Sequence, residues 1–124
     1  MNMTKVAEFI CTLLHSAVCT HIMHFQVTGE GSYAKHKALN DYYDAIPDLV
    51  DSLVESMQGS YEIINGYPTT CELSQFAPLP YLELLQDYVR ENRSNLPEDS
   101  EIQNEVDSIL NLINSTVYKL RDLR

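Results

Sequence analysis

Apolar residues recur at three- and four-residue steps along most of the chain, the period of helices that bury one side. Over residues 4–27 the stripe is Val6, Phe9, Ile10, Leu13, Leu14, Ala17 and Val18, with Thr4 placed to cap the start and Gly29 and Gly31 to stop the helix. Ser32 is placed to cap a second helix that runs to about residue 58, with Leu39, Tyr42, Tyr43, Ile46, Leu49, Val50, Leu53, Val54 and Met57 on a broad apolar face and Gly59 at its end. Pro47 falls inside this helix and is expected to kink it, because proline lacks the backbone donor and crowds the preceding turn. The period breaks over residues 60–80, where Gly66, Pro68, Pro78 and Pro80 punctuate a long crossover with one short helical turn expected at 71–75. A third helix follows over 81–92, with Leu82, Leu85 and Val89 inward. A fourth runs over 98–123 on Ile102, Val106, Ile109, Leu110, Ile113, Val117 and Leu120. It is acidic where it starts and basic where it ends, as the helix dipole prefers.

Two helices, a long crossover and two more helices predict an all-α four-helix bundle in a single domain, 1–124. Charge narrows its partners. Eight Lys and Arg against 18 Asp and Glu give a formal charge of −10. The basic residues do not cluster, so neither nucleic acid nor an anionic membrane is an expected partner, whereas metal cations are attracted. Thr4, Lys5 and Glu8 interrupt any secretory apolar region, and no apolar run approaches the ~20 residues that span a bilayer. Cys11, Cys19 and Cys71 show no CxxC spacing and read as buried thiols of a soluble, cytoplasmic protein. Glycine patterns for dinucleotides, phosphates or a nucleophile elbow are absent from the sequence.

Candidate chemistry gathers at the first helix–helix turn. Three of the four histidines lie in His21-Ile-Met-His-Phe-Gln-Val-Thr-Gly-Glu-Gly-Ser-Tyr-Ala-Lys-His36. His24 continues the inner stripe. His15 sits on the opposite face at ~100° per residue, and both His15 and His21 read as ordinary boundary residues. His24 and His36 bracket the turn, so antiparallel helices bring them together. Asp51 and Glu55, four apart on the second helix, share a face. Imidazole and carboxylate together suit iron or zinc. His36 and Asp51 are nevertheless fifteen residues apart, ~22 Å along one helix axis. A metal–ligand bond is only ~2 Å long. One subunit therefore cannot join them, but two antiparallel copies of the helix can, about a twofold axis near Tyr43 and Asp44. Glu-x-x-His pairs, which a di-iron bundle within one chain uses, are missing.

The spacing His24-Phe25, Gly29, His36, Asp51, Glu55 resembles that of the Dps proteins, or miniferritins, closely over 22–68 and only in architecture beyond. The resemblance implies a ferritin-like four-helix bundle, assembled from a dimer upward into a cage of twelve subunits. It implies a ferroxidase site with His24 and His36 from one subunit and Asp51 and Glu55 from its mate. These four would be both the catalytic residues and the ligands of non-haem Fe, with Zn or another divalent metal able to bind. Fe(II) would be oxidised there by peroxide or oxygen and stored as ferric mineral. Asn40 stands where that family usually has an aspartate, Phe25 where tryptophan is common, and Pro47 is unusual in that helix. The basic tail with which some members bind DNA is absent, so direct DNA binding is not expected. The alternative expectation is a bundle that keeps the fold, has lost iron oxidation and acts as a structural or protein-interaction module. Asn40, Pro47 and the short chain favour that alternative. The retained histidine–carboxylate set opposes it, since buried polar groups without partners are costly. The tyrosines read as packing residues rather than radical relays.

Overall fold

A computed structural model describes residues 1–69 and 77–123. Four helices pack against one another, α1 (Met3–Gln26), α2 (Ser32–Ser60), α3 (Pro78–Asn92) and α4 (Ser100–Asp122), and the described residues contain no strand. Helix α2 packs between α1 and α4, and α3 closes the bundle against α4 and, more lightly, α1. Phe9, Leu13, Leu39, Tyr42, Ile46, Leu53, Leu82, Ile102, Ile109 and Ile113 are fully buried along the common axis.

The helix boundaries depart from the sequence expectation for local reasons. Asn2, not Thr4, caps α1, and its Oδ1 accepts the Lys5 N–H at 3.1 Å. Gly31 rather than Ser32 precedes α2, in the left-handed region at φ 75°; with Gly29 at φ 86° it lets the chain reverse within a few residues. Gly59 does not stop α2, which continues through Ser60. Pro78 and Pro80, counted as loop punctuation, form the first turn of α3. A first turn has no use for their missing N–H groups, so proline is at home there. Pro47 leaves α2 unbroken but deprives the Tyr43 carbonyl of its helical donor. The turn expected at 71–75 lies outside the described residues.

Two composition readings also change. Leu14 and Val18, counted with the inner stripe, are 42% and 52% exposed. Each lies ~100° or more round the helix from Leu13, beyond the arc that α2 and α3 cover. The expectation that no run reaches membrane length is corrected too. Over one window α1 has a mean hydropathy of 1.5 and, by length and composition, could cross a bilayer; half of that window is buried in the bundle. After Glu8 its polar residues up to Phe25 are Thr, Ser and His rather than charges, which is why that stretch is apolar on average.

Cys19 is a buried free thiol, as expected. Burial pushes its pKa up, and the Tyr81 hydroxyl, which donates to its sulfur, offsets part of that shift. Cys11 is disulfide-bonded, which corrects its reading as a free thiol; Cys71 lies outside the described residues.

A polar seam crosses this core. The Ser16 hydroxyl donates to the Leu13 carbonyl, so the Tyr42 hydroxyl donates to Ser16 at 2.7 Å. Burial pushes the pKa of Tyr42 and Tyr81 upward. Raised folded pKa values mean that the unfolded chain releases these protons first. Their contribution is complete below the unfolded value near ~10 and is lost as pH rises through the folded values. Tyr42→Phe is therefore expected to cost about 1 kcal/mol at neutral pH and to flatten the loss of stability above pH ~10. Urea unfolding at several pH values measures both, and an unchanged alkaline slope would contradict this account.

Candidate metal site

The C-terminal turn of α1 and the N-terminal turns of α2 meet at the Thr28–Gly31 reversal, where the Ser32 N–H donates to the Gly29 carbonyl at 3.1 Å. This reversal stacks His24 on His36, with ring centroids 3.8 Å apart and planes 26° from parallel. His24 is buried and His36 is exposed. Each imidazole is fixed through Nδ1. His36 Nδ1 lies 3.0 Å from the His24 carbonyl oxygen, and His24 Nδ1 lies 3.3 Å from that of His21. A carbonyl only accepts, so each Nδ1 carries the hydrogen. Both Nε2 lone pairs are then available, the usual arrangement for a histidine ligand oriented by its other nitrogen.

Two residues that the sequence reading took as boundary and packing positions complete these surroundings. His21, read as a bland boundary residue, stacks on Tyr43 at 4.0 Å and 10°. Tyr43 also stands edge-on to His24 at 5.2 Å. Its hydroxyl donates to Asn40 Oδ1 at 2.7 Å, and Asn40 Nδ2 donates to Asp44 Oδ2 at 2.9 Å. The signal was present in the spacing. Tyr43 follows His36 by seven residues, two helical turns on one face, and His21 precedes His24 by three. Asn40 is thus held on both sides of its amide, with its carbonyl turned to Tyr43.

Asp51 and Glu55 are exposed on α2, one turn apart, at the far end of the helix from the imidazoles. The chain brings His24 and His36 together and leaves Asp51 and Glu55 apart from them. Among the described residues no group of three or more His, Cys, Asp or Glu side chains is placed to hold a metal within one chain. The core seam of Ser16, Tyr42, Cys19 and Tyr81 offers no carboxylate or imidazole either. His15 stands apart from these rings, with a buried Nδ1 that has no hydrogen-bond partner among the described residues.

What fold and site define together is a four-helix protein with an imidazole pair shared by α1 and α2 at one end and two exposed carboxylates further along α2. Over residues 24–120 it matches a family of unknown function (DUF5856), and the chain belongs to that family. No curated protein and no solved structure matches it.

Proposed function

We propose that the chain is a Dps-like ferroxidase subunit. Two copies pair about a twofold axis, and each site takes His24 and His36 from one copy and Asp51 and Glu55 from the other. The observation that carries this reading is the His24–His36 stack, with both Nδ1 atoms tied to main-chain carbonyls and both Nε2 atoms left to bind. Two imidazoles and two carboxylates hold Fe(II) without filling its coordination sphere. The substrate iron gives up its electron there. One peroxide takes an electron from each of two Fe(II) ions and, with two protons, leaves as two waters. Ferric iron, the harder ion, then moves to acidic oxygen ligands, which a chain of charge −10 supplies in excess. Storage inside a cage of twelve subunits follows from the same resemblance.

Adding Fe(II) to size-separated protein, with and without peroxide, tests the proposal. Fast, saturable oxidation is expected, at about two irons or fewer per site. Oxidation no faster than in protein-free buffer would exclude it.

The second reading is a bundle that serves as an interaction module without iron chemistry. One observation favours it: Asn40, at the position of a carboxylate in the resembled family, is locked between Tyr43 and Asp44 and adds no anionic ligand.

A further inference from the structure

The outer face of α1 carries Leu14, Val18, Ile22 and Phe25, exposed by 42%, 52%, 46% and 71%. Steps of four, four and three place them on one ridge. From Phe9 to Gly29 the chain has no Asp, Glu, Lys or Arg. Clustered large apolar side chains left in water on one helix face mark a surface that something covers.

We infer that this ridge is the seam on which a second copy of the chain docks, with the twofold axis passing beside Val18. The inference rests on the shared-site reading above and adds where the two copies touch. Two arguments select a second copy as the occupant. The first is charge. Two chains of −10 repel one another wherever acidic surfaces meet, and the α1 ridge is a long stretch free of formal charge.

The second is register. Completing a site from His36 of one copy and Asp51 of the other puts the axis midway between them on α2, level with Tyr43 and Asp44. Ser16 bonds Tyr42 and His21 stacks on Tyr43, so that level on α2 faces the stretch of α1 between Ser16 and His21. Val18 lies in that stretch and is the centre of the Leu14–Val18–Ile22 ridge. The ridge on α1 and the proposed ligand spacing on α2 thus agree on the height of the axis. Leu14, Val18 and Ile22 are also an i±4 row, the kind that interdigitates with its own copy when two helices cross.

Sedimentation of the metal-free full chain in chelator tests the seam apart from the iron chemistry. Wild type is expected to form a dimer, or a larger assembly built on it. Val18→Glu, which sets two carboxylates face to face at the axis, is expected to weaken self-association by more than roughly 100-fold with helicity unchanged. Val18→Asn serves as a milder second variant and is expected to weaken it less. Val18→Cys is expected to form a copy-to-copy disulfide on mild oxidation, since a residue at a twofold axis meets itself.

A wild type that stays monomeric at high concentration would overturn the seam, as would Val18→Glu self-associating as tightly as wild type. So would a monomer that floats with phosphatidylcholine vesicles and loses that binding in Val18→Glu, which would assign the ridge to lipid. A dimer sensitive to Val18→Glu that neither binds nor oxidises Fe(II) keeps the seam and removes the ferroxidase reading. Iron oxidation that survives in a Val18→Glu dimer does the reverse.

Discussion

The double variant His24→Ala with Glu55→Ala is expected to lose ferrous oxidation by more than roughly 100-fold, beyond the ~10–100-fold that follows loss of a supporting partner. Of the four proposed ligands His24 has the least freedom. It is buried, stacked on His36 and tied to the His21 carbonyl. Glu55 is exposed near the end of α2 that lies away from the imidazoles of its own chain, so under the proposed shared site its removal acts on the mate. Both changes leave the helices intact, since alanine is the best helix former and neither side chain caps a helix. Circular dichroism beside stopped-flow oxidation separates loss of site from loss of fold. Unchanged kinetics in the double variant would remove these residues from the chemistry.

Phe9→Ala is expected to be the most damaging single change to the fold, costing roughly 3–5 kcal/mol. Phe9 is fully buried on α1 and stacks on Tyr88 of α3 at 5.9 Å and 25°. The α1–α3 contact is the lightest side of the bundle, so little else there takes up the cavity. Against a total stability of about 5–15 kcal/mol, this loss moves the chain close to its unfolding threshold. Urea titration reads it directly. A cost below ~1 kcal/mol would mean that the neighbouring helices collapse onto the space.

Helix number and order were legible in the chain because the apolar period of α2 and α4 is strong, and a bundle buries such stripes with few exceptions. Ends were less legible. Pro78 and Pro80 look like loop residues until a helix starts on them, and Asn2 caps α1 from before the first residue of its apolar stripe, Val6. Periodicity also could not separate Leu14 and Val18 from the inner stripe, because their side chains are as apolar as their buried neighbours and only packing decides which arc is covered. For the site, the closeness of His24 and His36 followed from a short antiparallel turn. The His21–Tyr43 stack and the lock on Asn40 did not, because both depend on the rotation of α1 against α2, which no spacing along one helix contains. The state of Cys11 was misread for a related reason: a thiol and a disulfide have the same sequence.

The claim that each site is shared between two copies is tested most directly by mixing two inactive single variants, His24→Ala and Glu55→Ala, after unfolding and refolding them together. Each variant supplies what the other lacks. In a mixed pair one site joins the intact imidazoles of the Glu55→Ala chain to the intact carboxylates of the His24→Ala chain, and the other site loses both. Random pairing about a twofold axis then returns about one quarter of wild-type oxidation from two preparations that have almost none. A mixture as inactive as its parents would contradict the shared site.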